Sequence, residues 1–323
     1  MRVLVTGGTG FIGSHIVDRL ISNGHEPLVA IRETSSLKWL PNEVETIIAP
    51  MERLSPLEKI LPNIDAVIHN AGVIRAKRKE DFYRVNLTAT VDLAELCAKY
   101  AKNLRKFVFV SSQAAGRPGR DCDGVCESTE PAPITSYGHS KLEAERALKD
   151  FSELFPVAII RPPVVYGPRD VSVLTYFKMV SKGFKVFPGD SGRQFSIVYV
   201  KDLARAIVTA IEYSECFSLF FVNDGEVHTW RELADIIAEE MDRRTLTIQL
   251  PKAAFYPAAM IARGLSMATG DIPLLTMEKA REISGNWVCD GSAICERMGF
   301  EPEFDLHRGI AETVRWYRDI GWI

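Results

Sequence analysis

The chain has 323 residues, 46% of them hydrophobic and 25% charged, and a net charge of −3. That length can bury a sizeable core, as one large domain or two, and the composition is that of an ordinary globular protein. The slightly acidic balance gives no electrostatic basis for binding nucleic acid. Strand-like sequence begins at Arg2, so the amino terminus reads as part of the fold and not as a signal peptide.

Taken in chain order, short apolar runs alternate with amphipathic stretches. Val3–Val5 reads as a strand. Phe11–Asn23 reads as a helix, with Phe11, Ile12, Ile16, Val17, Leu20 and Ile21 at helical spacing and Gly24 as its stop. Strands follow at Pro27–Ile31, Thr46–Ala49 and Ala66–Ile68, then a long helix over Lys79–Lys102. Lys106–Ser111 is a strand, Tyr137–Phe151 a helix and Val157–Ile160 a strand. Alternating helices and β-branched strands predict an α/β fold with a doubly wound parallel sheet.

After Arg161 the pattern changes. Prolines and glycines crowd Pro162–Gly192. Phe195–Val200 reads as a strand, Lys201–Tyr213 as a helix and Leu219–Val222 as a short strand; from Thr229 the chain reads as mostly helical, ending in Leu306–Ile320. The expected organisation is a nucleotide-binding domain over 1–165, to which about 195–225 return. A smaller, mostly helical lobe for the substrate is expected over 166–194 and 226–323. Ala253–Thr269 is apolar but too short and too interrupted by Arg263 and Gly264 to span a bilayer; it reads as a packed helix, a greasy lid over a substrate cleft or a membrane-surface contact. No transmembrane segment is expected.

Gly7, Gly10 and Gly13 follow G-x-x-G-x-x-G directly after the first strand and open the first helix. One glycine allows the sharp turn, one lets a pyrophosphate approach the backbone, and one allows helix and strand to pack closely. The helix amino terminus then offers unpaired N–H groups to an anion. This context points to a dinucleotide and hence to a cytoplasmic protein with free thiols. The six cysteines, Cys97, Cys122, Cys126, Cys216, Cys289 and Cys295, form no framework. Cys122-x3-Cys126 lacks histidines at zinc spacing, so no metal is expected. At the end of the second strand, Arg32 precedes Glu33, Thr34, Ser35 and Ser36. An arginine there accommodates a 2′-phosphate and favours NADP, while Glu33 could serve the ribose of NAD.

Tyr137 and Lys141 lie four apart and so share a helix face. A tyrosine titrates near ~10, and a neighbouring ammonium lowers that value toward a useful proton donor and acceptor. Ser111 and Ser112 end the fifth strand at the carboxyl edge of the sheet, where a hydroxyl can bond a substrate oxygen as charge develops.

Together these residues resemble an extended short-chain dehydrogenase/reductase, the group also called NAD-dependent epimerases/dehydratases, over nearly the whole chain. The resemblance is carried by 6–13, His69-Asn70-Ala71-Gly72, Val85-Asn86, Val110-Ser111-Ser112, Tyr137-Gly138-His139-Ser140-Lys141, 161–168 and 199–204. It implies a Rossmann fold and a catalytic triad of Ser112, Tyr137 and Lys141, with Tyr137 as acid/base. It also implies a cofactor lined by Gly7, Gly10, Phe11, Ile12, Gly13, Arg32, Ala71, Gly72, Tyr137, Lys141 and Pro163. Asn86 is implied as a structural hydrogen-bonding residue, and a homodimer through 81–102 and 137–151 as a possible assembly.

Two departures bear on the substrate. Many relatives have Gly-Asp after the third strand, where this chain reads Ala49-Pro50-Met51. Nucleotide-sugar epimerases often carry Arg-Asp where Phe195-Ser196 stand, with Arg193 two residues earlier. The chain is most similar to the branch of 3β-hydroxysteroid dehydrogenases and dihydroflavonol reductases. That implies hydride transfer between a nicotinamide and a ketone or secondary alcohol on a fairly hydrophobic small molecule, with Ser112, Gln113, Arg193 and Phe195 toward the substrate. The alternatives are a nucleotide-sugar epimerase, using Arg117, Arg120, Arg169 and Arg193 on a diphosphate, or a dinucleotide-binding regulator without turnover. Arg75-Ala76-Lys77-Arg78-Lys79 reads as a solvated charge run or as steering for an anionic substrate.

Overall fold

The computed structural model describes residues 1–119, 124–251, 278, 281–282 and 285–323. The first half contains β1 (Arg2–Thr6), α1 (Phe11–Ser22), β2 (Glu26–Ile31), β3 (Glu45–Ile48), β4 (Ala66–His69), α2 (Lys79–Tyr83), α3 (Ala89–Tyr100), β5 (Lys106–Val110), α4 (Ser136–Phe151) and β6 (Val157–Arg161). It continues through β7 (Val164–Tyr166), α5 (Leu174–Ser181), β8 (Phe184–Pro188), β9 (Gln194–Phe195), β10 (Ile197–Tyr199), α6 (Val200–Thr209) and β11 (Phe217–Phe221). Then come β12 (His228–Thr229), α7 (Trp230–Glu240), β13 (Leu246–Leu250) and helices at Ser292–Met298 and Leu306–Asp319.

The main sheet has the strand order β11-β6-β5-β4-β1-β2-β3. Its pairings are all parallel, so it is a Rossmann-like α/β sheet. Strands β4, β5 and β6 are buried along their whole length, which is why their sequences are apolar without alternation. Alternate residues serve two cores. Val3, Val5, Ile68, Val108 and Ile160 pack with Ile16 of α1 and Leu203 of α6 on one face. Leu4, Val67, Phe107, Phe109 and Ile159 pack with Leu93 of α3 and Leu148 of α4 on the other. The chain runs outward from β1 to β3, then crosses back to β4 on the opposite side of β1. This reversal opens the crevice at the carboxyl ends of β1 and β4 where open α/β sheets bind ligands.

Two expectations are corrected. The long helix over 79–102 is interrupted by a π-helical turn, Arg84–Thr88, which turns Asn86 into the interior. A π-turn of this kind sits inside an otherwise α-helical segment and has no residue signature of its own, so the sequence did not reveal it. The strand over Phe195–Val200 is two strands. β9 pairs antiparallel with β12 and β10 pairs parallel with β7; between them Ser196 is wholly buried and bonded to the Cys289 backbone. Beside its helices, the part of the chain after Thr229 holds one further strand among the described residues, β13, which pairs in parallel with β8. A third core joins Phe177, Phe195, Tyr199, Leu233, Ile237, Ile310 and Tyr317. Ala253–Thr269 lies outside the described residues.

Candidate active site

The glycine turn is built as a backbone cradle. Gly7 has a positive φ of 68°, and a Cβ there would fall 2.8 Å from the Ala71 amide nitrogen, so only glycine lets the loop after β4 close on β1. A Cβ on Gly13 would fall 2.1 Å from the Gly7 carbonyl oxygen, so glycine there lets α1 begin against the turn. Gly10 differs: a Cβ there would meet only the Gly7 oxygen, at 3.4 Å, and would otherwise face open space. No side chain caps the amino terminus of α1 at Gly10. The first amides of the helix, through Phe11, Ile12 and Gly13, are thus left for an anion, and the cradle fits the pyrophosphate of a dinucleotide.

Arg32 is exposed just beyond β2, and its amide donates to the Ser35 hydroxyl at 3.0 Å. Glu33 faces away toward Arg53, at 3.4 Å.

A directed chain of buried hydrogen bonds holds the floor of the crevice. The Ala71 amide donates to Thr6 Oγ1 at 3.1 Å, and Thr6 Oγ1 lies 2.6 Å from His69 Nδ1. His69 Nε2 lies 2.8 Å from Thr90 Oγ1, which itself donates to the Asn86 carbonyl at 2.8 Å. Because Thr90 spends its proton on Asn86, His69 Nε2 carries the ring proton and Nδ1 accepts from Thr6. Burial pushes the His69 pKa down to about 3, with the Lys141 charge adding to the effect, so the ring is neutral as this chain requires. Asn86 in turn holds Val73 at both amide and carbonyl, at 2.8 and 3.0 Å, and Ser140 Oγ at 3.0 Å.

α4 brings the tyrosine and lysine to this floor. Thr135 caps its amino terminus by accepting from the Gly138 amide at 3.0 Å. A Cβ on Gly138 would fall 2.2 Å from the Ala114 carbonyl oxygen. Glycine next to Tyr137 is therefore what lets the helix press onto the turn that carries Ser112. Lys141 is 4% exposed; its Nζ donates to the Val110 carbonyl at 2.8 Å and lies 4.4 Å from the centre of the Phe109 ring. A Cβ on Gly72 would lie 3.3 Å from that Nζ, so Gly72 and Lys141 meet.

Burial lowers the Lys141 pKa to about 8, against the pull of Glu145. The Tyr137 pKa is raised to about 12, chiefly by burial, while hydrogen bonding with Ser112 pulls it down and Glu282 and Glu145 push it up. The expected depression of the tyrosine by Lys141 is therefore not what the site shows. Loss of hydration outweighs the Ser112 hydrogen bond, and Tyr137 stays a phenol at neutral pH.

The two serines part company. Ser111 Oγ donates to Glu145, whose carboxylate also binds Arg161 Nε at 2.9 Å and Nη2 at 2.5 Å. Ser112 Oγ accepts from the Ala114 amide at 3.1 Å and is the serine that acts on Tyr137. The buried Glu145–Arg161 pair under the site escaped the sequence reading. The signal was present, since Glu145 stands four residues after Lys141 on the same helix face.

The residues expected toward the substrate stand on different segments of the chain. Gln113 is buried beside Ser112, its backbone amide donating to the Pro162 carbonyl at 2.8 Å, and its side-chain nitrogen has no partner among the described residues. Pro163 is half-buried where the chain leaves β6. Phe195 packs in the third core: it is 2% exposed and its ring stacks on Trp230 with centroids 4.3 Å apart. Arg193 is buried two residues away. Arg75, Lys77, Arg78 and Lys79 are exposed and carry no ion pair among the described residues. Cys122 and Arg120 lie outside the described residues. Among the described residues no cluster of His, Cys, Asp or Glu could hold a metal ion, and no helix is long and apolar enough to cross a membrane.

Comparison with known proteins places the chain in a family. The chain is 29% identical to a ceramide reductase from Caulobacter vibrioides, over 99% of this chain and 96% of the relative. It is also 29% identical to a sterol-4-alpha-carboxylate 3-dehydrogenase, decarboxylating, from Dictyostelium discoideum, over 96% and 99%. The fold is similar to that of a UDP-glucose 4-epimerase from Thermus thermophilus solved in complex with NAD, with a TM-score of 0.79, 26% identity, and 98% and 99% of the two chains covered. Relatives thus include both sterol dehydrogenases and sugar epimerases. The model of the NAD-dependent epimerase/dehydratase family matches residues 3–217, and the chain belongs to that family.

Proposed function

We propose that this chain is an NADP-dependent oxidoreductase that reduces a ketone on a fairly hydrophobic small molecule to a secondary alcohol. The observation that carries the reading is the meeting of Ser112, Tyr137, Lys141 and Gly72 at the carboxyl edge of the sheet, beside the cradle at Gly7–Gly13. Relatives named for ceramide and for a sterol carboxylate support the substrate class. Bound at this edge, the nicotinamide supplies the hydride.

The protein's residues do the rest. Gly7, Gly10, Phe11, Ile12 and Gly13 hold the pyrophosphate. Arg32 receives the 2′-phosphate, with Glu33 drawn to Arg53. Ala71, Gly72 and Pro163 line the nicotinamide. Tyr137 gives its proton to the substrate oxygen as the carbonyl becomes an alcohol, and its raised pKa means that it holds that proton at neutral pH. Ser112 donates a hydrogen bond to the same oxygen as charge develops, and Lys141 holds the nicotinamide ribose. Gln113 and Arg193 face the substrate. Residues 166–194 and 226–323 form the substrate lobe, and 1–165 with 195–225 the cofactor side.

The test is a panel of hydrophobic ketones with NADPH, run beside UDP-glucose with NAD. One NADPH oxidised per ketone reduced is expected. Interconversion of UDP-glucose and UDP-galactose without net cofactor change would replace this reading with the epimerase. Cofactor binding with neither reaction would replace it with a regulator.

A further inference from the structure

The amino terminus of α4 carries a second anchor that the catalytic residues do not account for. Glu278 lies 142 residues downstream of Ser136. Its carboxylate accepts from the Ser136 amide at 3.0 Å through one oxygen and from the Ser136 hydroxyl at 2.8 Å through the other. Ser136 is buried and immediately precedes Tyr137. Thr135 satisfies the Gly138 amide from the other side, so the first turn of the helix is held twice, once locally and once from the carboxy-terminal part of the chain. A carboxylate at this end of a 16-residue helix also meets the positive end of the helix dipole.

We infer that Glu278 is a positioning residue for Tyr137: by gripping both polar groups of Ser136 it fixes the first turn of α4, and with it the place of the phenol against Ser112. Three contacts then set the phenol. Gly138 seats the helix on Ala114, the Phe82 ring packs against the Tyr137 ring with centroids 6.2 Å apart, and Glu278 stops the first turn from sliding along that contact. Proton transfer is sensitive to displacements of about 1 Å, which can cost about a hundredfold in rate. A grip on the neighbouring residue is therefore felt in turnover more than in binding. The carboxylate donates nothing to the reaction and touches no reacting atom.

The inference rests on Tyr137 being the proton donor, and the experiment separates the two. Steady-state rates and binary cofactor affinity are measured for Glu278→Ala, Glu278→Gln, Ser136→Ala, the Ser136→Ala/Glu278→Ala double variant and Tyr137→Phe. Glu278→Ala is expected to lower kcat by about tenfold to a hundredfold while leaving cofactor Kd within about twofold. Glu278→Gln is expected to keep most of the rate, because its amide can still accept from the Ser136 amide and donate to the hydroxyl oxygen. The double variant is expected to be no slower than Glu278→Ala alone, since both changes break one contact. A normal kcat in Glu278→Ala, losses that multiply in the double variant, a Glu278→Gln variant as slow as Glu278→Ala, or a parallel loss of cofactor affinity would each overturn it. Should Glu278→Ala fail to fold, Ser136→Ala keeps the test, with a smaller kcat loss expected and the same requirement on Kd. An active Tyr137→Phe would instead remove the underlying reading, whatever Glu278 does.

Discussion

Residues 1–161 supply six of the seven strands of the parallel sheet, whereas residues 194–250 assemble from strands as short as two and three residues paired with distant partners. Thr6, Gly7 and Gly13 meet neighbours from the next turn of chain or from the adjacent strand. Phe195 and Ser196 meet Trp230, Trp287 and Cys289, reached only after the chain has crossed the lobe. The first plan writes function into a local motif. The second spends conspicuous residues on packing, so an aromatic at a suggestive position can be core. Ser196, buried and bonded at both the Cys289 amide and carbonyl, is where one apparent strand breaks into two directions.

Five experiments would break or sharpen this contrast. The largest effect is expected at the local motif: Tyr137→Phe should cost about 10²- to 10⁴-fold in kcat while cofactor binding, read by fluorescence, persists. Near-normal turnover would strip the motif of its meaning. Next, Gly138→Ala sets a methyl group against the Ala114 carbonyl. It should cost about 1–3 kcal/mol in denaturant unfolding and lower kcat further than that loss of folded protein explains. Wild-type kinetics would show that α4 need not sit so close.

The pH dependence should follow Lys141. Its pKa is lowered to about 8, so the lysine is charged below that value and neutral above it. If the charge is needed, ketone reduction should fall about tenfold per pH unit above about 8, while Tyr137, raised to about 12, keeps its proton throughout. A rate flat to pH 10 would separate Lys141 from the rate. Arg32→Asp should shift preference from NADPH toward NADH by about tenfold, on the order of one good charged contact; an unchanged ratio of kcat/KM values would assign the 2′ position to other residues. The smallest kinetic effect belongs to the second region. Phe195→Leu should lower stability by about 1–3 kcal/mol through its lost stack on Trp230, with substrate KM nearly unchanged. A large KM change with stability intact would return Phe195 to the substrate.

Much of the site was legible because its chemistry requires particular residues at particular spacings. Tyr137 and Lys141 share a helix face by geometry, Ser112 ends a strand, and Gly7 and Gly13 stand where a side chain would collide with backbone. Glu145 could have been read from the same helical spacing. Glu278 could not, since nothing local marks a glutamate that bonds a serine 142 positions away. The π-turn at Arg84–Thr88 and the pairing of β13 with β8 were hidden for a related reason: both are decided by where other elements stand.

By itself the amino-acid order determined the parallel sheet, the cradle after β1 and the trio proposed to react, because buried strands must be apolar and backbone cradles must be glycine. Only the tertiary structure decided the rest. It turned Ser111 to Glu145 and left Ser112 beside Tyr137, kept His69 neutral, raised the phenol where a lysine four residues away suggested lowering it, and buried Phe195. The physical reason is common to all of these. Hydration lost, and partners met, depend on what packs around a side chain, and that is set by segments far away in the chain.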